Sequence, residues 1–194
     1  MIFNYGAGNL FSIQAALRKE GTRPLVSRTG SGMGMADALI LPGVGSFDQA
    51  TGALPMAEIR DAVRAGKPIL GICLGLQLFF GRSEEGQSKG FSFLRGRVRR
   101  LPSSVKVPQI GWNTLTVERE SELARGLAKE PWVYYVNSYY PETEGSWVVG
   151  TSQYGVRYPC LVSQKNIYGT QFHPEKSGDA GRTILRNFLE AVKH

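Results

Sequence analysis

The chain has 194 residues, of which 42% are hydrophobic, and its formal net charge is +7. This length and composition indicate one globular domain spanning residues 1–194, with enough apolar side chains for a full core. The positive charge suits a phosphorylated substrate or an acidic partner, whereas no basic tract with interleaved aromatics indicates nucleic-acid binding.

In the first half of the chain, apolar segments with strand character alternate with helical segments. Strands are predicted at 2–3, 24–26, 38–41 and 68–72, a helix from about Asn9, which is a good N-cap, and a helical region over 47–64. This alternation is typical of a parallel sheet that carries helices on both faces.

The second half is rich in valine, tyrosine, tryptophan and isoleucine, which favour strands. Strands are predicted at 91–101, 107–117, 132–140, 146–153, 159–164 and 167–172, before a final helix over 182–192. Strands in direct succession pair antiparallel, at least in part. We therefore predict an α/β fold with a mainly parallel, twisted central sheet, flanking helices and antiparallel strand additions.

The two cysteines, Cys73 and Cys160, are too few for a disulfide framework, so a reducing compartment is expected. The first residues lack the charged and apolar regions of a secretory signal. The longest apolar stretch, 69–80, is interrupted by glycines and is too short to span a membrane. We therefore predict a soluble cytoplasmic protein without membrane contacts.

The segment Gly71-Ile72-Cys73-Leu74-Gly75 follows a predicted strand and precedes a helical stretch. A strand, a nucleophile flanked by glycines and then a helix form a nucleophile elbow, in which small neighbours allow a tight turn that exposes the side chain. At a helix N-terminus, the helix dipole favours the thiolate. Cys73 is therefore predicted to be a covalent nucleophile, whereas Cys160 has no such context and is predicted to be structural.

A cysteine nucleophile needs a base, and the chain has only two histidines. His194 is the terminal residue, which leaves His173 in the segment Gln171-Phe172-His173-Pro174-Glu175. Proline disfavours helix in the residue before it, and positions two apart in an extended segment point to the same side. Glu175 is therefore predicted to orient the His173 imidazole and to complete a triad with Cys73.

Acyl transfer also requires donors for an oxyanion, and the N–H of Leu74, directly after the nucleophile, is one natural donor. The second is predicted in the turn Pro42-Gly43-Val44-Gly45, from Val44 or Gly45, where glycines let the backbone approach a ligand or rotate a peptide. Gly6-Ala7-Gly8 lacks the third glycine and the acidic residue of a dinucleotide fingerprint. No cofactor is predicted, and the cysteines and histidines are not spaced as metal ligands.

Together, the elbow segment and the His-Pro-Glu segment resemble those of the triad, or class I, glutamine amidotransferases. Within that family, four further segments are similar to the glutaminase subunits of imidazole glycerol phosphate synthase. They are Asn4-Tyr5-Gly6-Ala7-Gly8-Asn9-Leu10, Pro42-Gly43-Val44-Gly45, Val107-Pro108-Gln109-Ile110-Gly111-Trp112-Asn113 and Lys176-Ser177. The resemblance extends from the first strand to the last helix.

The resemblance implies that glutamine is hydrolysed to glutamate and ammonia, in a heterodimer with a (β/α)8-barrel cyclase subunit. That subunit would use the ammonia to make imidazole glycerol phosphate and AICAR in histidine biosynthesis. By motif match, the glutamine would be held by Gln77 and by the backbone around Ser138 and Tyr139. The side chains expected to lie toward the cyclase are those of Trp112, Asn113 and Lys176.

Three positions, Asn4, Gln109 and Asn137, depart from the commonest family pattern, in which aspartate, histidine and histidine occupy them. The departures leave open a paralogue that supplies ammonia to a related synthase in another pathway. The triad residues would also suit a stand-alone cysteine hydrolase that acts on another γ-glutamyl or acyl substrate, or they could be vestigial in a non-catalytic binding subunit. Because glutamine hydrolysis without an acceptor wastes substrate, we predict a nearly inactive free subunit, whose oxyanion hole is completed when the partner shifts the 43–45 peptides.

Overall fold

The computed structural model describes residues 1–6, 10–43 and 45–193. Its strands are β1 (Ile2–Phe3), β2 (Val26–Ser27), β3 (Leu39–Leu41), β4 (Ile69–Ile72), β5 (Arg97–Arg100), β6 (Gln109–Thr114), β7 (Thr116–Val117), β8 (Trp132–Asn137), β9 (Tyr139–Glu142), β10 (Val148–Tyr154), β11 (Val156–Gln164) and β12 (Ile167–Thr170). Its α-helices are α1 (Leu10–Lys19), α2 (Phe47–Ala53), α3 (Met56–Arg64), α4 (Leu74–Gln77) and α5 (Gly178–Ala191). Short 3₁₀ turns cover Met33–Met35, Glu122–Ala124 and Pro174–Lys176.

Within these residues, eight strands form one sheet in the order β2-β1-β3-β4-β12-β11-β10-β7. Neighbouring strands from β2 to β12 run parallel, whereas β11 pairs antiparallel with β12 and β10, and β10 pairs antiparallel with β7. Two smaller antiparallel sheets pair β5 with β9 and β6 with β8. The predicted α/β fold, with a mainly parallel central sheet and antiparallel additions, is confirmed.

Consecutive residues of a strand point to opposite sides, so the apolar strands of the parallel sheet present apolar side chains on both faces. Helices cover both of these faces. On one face, Ile40 and Leu70 share a buried cluster with side chains of α1 and α5. On the other face, Leu41 and Ile69 share a second cluster with side chains of α2 and α3. This burial fixes the C-terminal ends of β3, β4 and β12 at one edge of the sheet, where the loops that carry the predicted site begin.

The helical region predicted over 47–64 is two helices, α2 and α3, rather than one. Leu54 is extended (φ −82°, ψ 145°) because it precedes Pro55, whose ring disfavours helical backbone in the residue before it. The last helix begins at Gly178 instead of Arg182, because the two glycines in its first turn weaken the helical signal of the sequence. Asn9, the predicted N-cap of the first helix, lies outside the described residues.

Cys160 lies fully buried in the cluster beneath α1 and α5, and this burial raises the pKa of its thiol to about 12. Its thiol therefore stays protonated at neutral pH, as suits the structural role predicted for it. No helix among the described residues is long and apolar enough to cross a membrane. In the same part of the chain, no group of three or more His, Cys, Asp or Glu side chains is arranged to hold a metal ion.

Candidate active site

Cys73 occupies a tight turn between β4 and α4. Its backbone has φ 52° and ψ −106°, a positive φ that non-glycine residues seldom adopt. Such strain persists only where the surrounding structure enforces it, and it is typical of a nucleophile elbow. The turn holds the sulfur at the C-terminal edge of the parallel strands, where such sheets bind their ligands.

Gly71 and Gly75 permit this turn because a side chain on either residue would collide with backbone. A Cβ on Gly71 would lie 2.5 Å from the carbonyl carbon and oxygen of Gly75, and a Cβ on Gly75 would overlap the carbonyl oxygen of Leu41. The two glycines therefore allow α4 to pack directly against β4 and β3. This contact is the physical reason for the Gly-x-Cys-x-Gly spacing.

His173 follows β12, which pairs in parallel with β4, so the turns after both strands lie at the same edge. A Cβ on Gly43 would lie 2.5 Å from Cys73 Cβ and 3.1 Å from His173 Cε1, so the two side chains meet beside Gly43. His173 Nδ1 is 2.8 Å from Glu175 Oε1, and both side chains are buried. The structure thus brings together the three residues predicted to form a triad.

The charge state of His173 follows from these neighbours. Burial by itself lowers the pKa of His173, but the Cys73 sulfur and the Glu175 carboxylate raise it to about 10 through hydrogen bonding and negative charge. The imidazole is therefore protonated at neutral pH. Because Nδ1 bonds Glu175, Nε2 carries the proton that faces the sulfur. The arrangement therefore favours a protonated His173 between Cys73 and Glu175.

We expect the raised pKa of His173 to be measurable in solution and to affect stability. In the unfolded chain the pKa is near 6.5, so the His173 contribution to folding is fully present below pH 6.5 and is lost as pH rises toward about 10. Carbon-13 labelling of the two histidines, with His173→Gln to assign the signals, should show one imidazole titrating far above 6.5. Glu175→Gln should lower that midpoint. A titration midpoint of 6.5 for His173 in the wild type would contradict a protonated imidazole paired with Glu175.

Strand β8 holds the turn that carries His173. The His173 N–H donates to the Tyr134 carbonyl oxygen at 2.8 Å. Ser177 Oγ donates to the His173 carbonyl oxygen at 2.7 Å and accepts the Tyr134 N–H at 2.9 Å. The Cys73 thiol donates to the Val136 carbonyl oxygen at 3.7 Å. The backbone of one strand therefore contacts both the nucleophile and the turn of the base.

The predicted oxyanion donors lie beside the same turn, as far as the structure describes them. Leu74 is the first residue of α4, so its N–H has no acceptor within the helix. Gly43 and Gly45 border the cleft next to Cys73, and Gly45 has φ 84°, a conformation that favours glycine. Val44, the other predicted donor, lies outside the described residues.

A cleft of about 280 Å³ opens beside Cys73 and is bordered by all three residues predicted to bind substrate, Gln77, Ser138 and Tyr139. Gln77 Nε2 donates to the Tyr139 carbonyl oxygen at 3.0 Å and to Gln171 Oε1 at 3.1 Å. Since both N–H groups of Gln77 are engaged, its Oε1 is the atom that it can offer to a ligand.

Glu85 also borders this cleft, and sequence reasoning missed it. Its Oε2 accepts the Phe47 N–H at 2.9 Å, which fixes the carboxylate near the start of α2. Burial raises the pKa of Glu85, and the neighbouring Asp48 raises it further, against the lowering effect of the Phe47 N–H. The residue stands in a polar loop without periodicity, so no local signal in the sequence marks it.

The three residues predicted to face a partner are not on one surface. The Trp112 and Tyr134 rings lie edge to face, with their centres 5.8 Å apart. Lys176 Nζ is 5.9 Å from the centre of the Tyr134 ring. Asn113 points to the opposite face of β6, as the next residue in a strand must, and its Nδ2 donates to the Gln153 carbonyl oxygen at 3.0 Å. Trp112 and Lys176 therefore lie together, and Asn113 lies behind them.

Nearly the whole chain matches one enzyme family, because the model of the class-I glutamine amidotransferases covers residues 2–192. The chain belongs to the class-I glutamine amidotransferases. The imidazole glycerol phosphate synthase subunit HisH of Bacillus cytotoxicus is 44% identical to it, over 99% of this chain and 94% of that protein. The subunit of the same name from Bacillus cereus strain B4264 is 43% identical, with the same coverage.

Solved structures show the same fold for this glutamine amidotransferase chain. The structure of PurLQS from Thermotoga maritima has a TM-score of 0.76 at 20% identity, over 97% of this chain and 96% of that one. A crystal structure described as a glutamine amidotransferase has a TM-score of 0.76 at 22% identity, over 96% and 95% of the two chains. At these identities the likeness concerns the fold alone.

Proposed function

We propose that this chain is a glutaminase that hydrolyses L-glutamine to glutamate and ammonia as a subunit of imidazole glycerol phosphate synthase. The observation that carries the proposal is the strained Cys73 beside the buried His173–Glu175 pair at one edge of the sheet. The full-length similarity to HisH subunits supports the same activity.

The reaction begins with the Cys73 thiolate, whose sulfur forms a bond to the side-chain carbonyl carbon of glutamine. The carbonyl oxygen becomes an oxyanion, which accepts hydrogen bonds from the Leu74 N–H and from Val44 or Gly45. Losing one such donor typically costs about 10²- to 10³-fold in rate. The protonated His173 then donates its Nε2 proton to the departing nitrogen, so ammonia leaves and a glutamyl thioester remains.

Hydrolysis of the thioester reverses these roles. Neutral His173 accepts a proton from water through Nε2, and the resulting hydroxide adds to the thioester carbonyl carbon. Collapse of the second oxyanion breaks the carbon–sulfur bond, which releases glutamate and restores the thiolate. Glu175 keeps the imidazole oriented through Nδ1 in both halves of the reaction.

Glutamine recognition is assigned to the polar groups around the cleft. The Glu85 carboxylate complements the α-ammonium group of an amino acid, and Gln77 Oε1 supplies a second acceptor. Ser138 and Tyr139 also border the cleft, and their backbone is proposed to contact the glutamine. These contacts act away from the reacting carboxamide, so they bind the ground state and the transition state alike.

We predict that Glu85→Gln raises the KM for glutamine by about 10- to 100-fold, as expected for loss of one charge-assisted hydrogen bond, with kcat within about threefold. Steady-state kinetics of the complete synthase measure both constants. Glu84→Gln is the matched control, because its carboxylate instead pairs with Arg99 on the surface. An unchanged KM in Glu85→Gln would remove this residue from the binding site.

The partner is assigned to the outer face of the β6–β8 sheet. Four large apolar side chains are exposed there: Ile110, Trp112, Trp132 and Val136. Ile110 and Val136 are direct cross-strand neighbours, so the apolar surface is continuous. Such a surface marks a protein interface. We propose that a (β/α)8-barrel cyclase subunit binds this face and receives the ammonia. Trp112 and Lys176 would contact that subunit, whereas Asn113 would support the sheet from its other face.

A glutaminase assay with and without the cyclase subunit and its nucleotide substrate tests the proposal. The free chain is expected to be nearly inactive, and the complex is expected to release glutamate about 10²- to 10³-fold faster, the effect of gaining one oxyanion donor. Rapid glutamine hydrolysis by the free chain would favour a stand-alone hydrolase. No glutamine hydrolysis by the intact complex would reject the proposed activity.

A further inference from the structure

Gln171, two residues before His173, has a fully buried side chain that contacts the nucleophile directly. Its Nε2 donates to Cys73 Sγ at 3.5 Å, and its Oε1 accepts from Gln77 Nε2 at 3.1 Å. Its backbone N–H donates to the Cys160 carbonyl oxygen at 2.9 Å, which fixes the residue in the sheet. Neither the triad nor the oxyanion hole uses this side chain.

The direction of these hydrogen bonds is set by the main chain. Gln77 donates to the carbonyl oxygen of Tyr139, which can only accept, so the group of Gln77 that faces Gln171 is its NH₂. Gln171 must therefore present its oxygen to Gln77 and its own NH₂ to the sulfur. A reversed Gln171 amide would place its NH₂ group against the NH₂ group of Gln77, so that two donors would face each other.

Besides His173, two groups form hydrogen bonds with the sulfur, and these two favour opposite protonation states. The Val136 carbonyl oxygen can only accept, so it stabilises the protonated thiol. The Gln171 N–H can donate to a negatively charged sulfur, and hydrogen bonds to charged groups are stronger than those between neutral groups. Gln171 therefore favours the thiolate and draws the sulfur away from Val136.

We propose that Gln171 stabilises the Cys73 thiolate and holds its sulfur in the attacking position, through a hydrogen-bonded chain that begins at the Tyr139 carbonyl and passes through Gln77. This inference rests on the proposed glutaminase reaction. It adds a donor to the nucleophile itself, besides the donors to the oxyanion. Because Gln77 borders the cleft, the same chain links the substrate-binding wall to the sulfur.

The pH dependence of Cys73 alkylation by iodoacetamide tests the proposal without needing catalysis. Peptide mass spectrometry separates Cys73 from the buried Cys160. In Gln171→Met, which keeps the length of the side chain but has no donor, the alkylation midpoint should rise by about one to two pH units. In the complete synthase, kcat should fall by about 10- to 100-fold, with KM for glutamine changed less.

Gln171→Glu keeps the acceptor for Gln77 and places a carboxylate oxygen against the sulfur, so it should raise the midpoint at least as far. If circular dichroism shows that Gln171→Met is not folded, the alkylation midpoint of Gln171→Glu tests the role of Gln171 instead. Asn187→Leu is the control, because it removes another buried carboxamide, bonded to the Leu123 and Arg125 carbonyls away from the site. That control should leave the midpoint unchanged.

An unchanged midpoint in the folded Gln171 variants would overturn the role of Gln171 and leave the glutaminase proposal intact. Conversely, a wild-type complex that hydrolyses no glutamine would reject the glutaminase activity, whatever the alkylation result. A midpoint that rises equally in Asn187→Leu would also overturn the proposal, because the shift would then reflect general loosening of the core.

Discussion

Cys73→Ser is expected to reduce glutamine-dependent synthesis by the complete synthase by about 10³-fold or more. A serine hydroxyl is far less acidic than a thiol and is a much weaker nucleophile at neutral pH, so attack on the glutamine carboxamide is lost. Synthesis from added ammonium salt should persist, because the proposed cyclase subunit would use that ammonia without the glutaminase. Parallel assays with glutamine and with ammonium salt measure the two activities on the same preparation.

Cys160→Ala is the matched control for this prediction. The Cys160 sulfur is fully buried and accepts a hydrogen bond from Ser152 Oγ at 3.3 Å, so the variant should keep most of its glutamine-dependent activity. Glutamine-dependent synthesis that persists in Cys73→Ser would favour a binding subunit with a vestigial triad. Loss of the ammonia-dependent activity as well would show that the substitution disrupts the complex rather than the nucleophile.

Gly75→Ala is expected to destabilise the fold by about 3 kcal/mol, the upper range for overpacking a close-packed site. The added methyl would overlap the Leu41 carbonyl oxygen, which belongs to a central strand of the sheet and cannot move as a side chain can. For a chain of this size, the melting temperature should fall by about 6–12 °C. Thermal unfolding followed by circular dichroism measures the change.

Gly52→Ala provides the comparison, because Gly52 lies in α2 and nothing lies within 4 Å of the position that its Cβ would take. Alanine favours helix over glycine, so this variant should be equally stable or more stable by up to about 1 kcal/mol. Equal melting temperatures for the two variants would mean that α4 does not pack against β3 as closely as the structure has it.

Local sequence carried most of the information on the fold and on the triad. The elbow glycines flank Cys73 directly, and Glu175 lies two residues from His173, so both arrangements are visible as short-range spacing. The alternation of apolar segments likewise predicted the α/β fold. Pro55 divided a predicted helix because proline acts on the residue before it, a local effect that the apolar pattern had outweighed.

Contacts between distant parts of the chain could not be predicted in this way. Glu85 reaches the cleft because its loop packs against the start of α2, and Gln171 meets Gln77 only after β12 pairs with β4. Asn113 is a different case, because a local rule that the motif match did not take into account decides its orientation. Asn113 directly follows Trp112 in the same motif, but the pleat of β6 turns the two side chains to opposite faces.

Strand β8 joins the proposed docking face to the reacting groups with no intermediate layer. The Tyr134 ring contacts Trp112 and Lys176 on the outside, while its carbonyl oxygen holds the His173 N–H on the inside. Two residues along, Val136 is exposed on the outside, and its carbonyl oxygen receives the Cys73 thiol. A partner that displaces this strand therefore moves the acceptors of the His173 backbone N–H and of the Cys73 thiol at once. A signal from the partner to the reacting groups would then cross a single strand and would not need to pass through the rest of the domain.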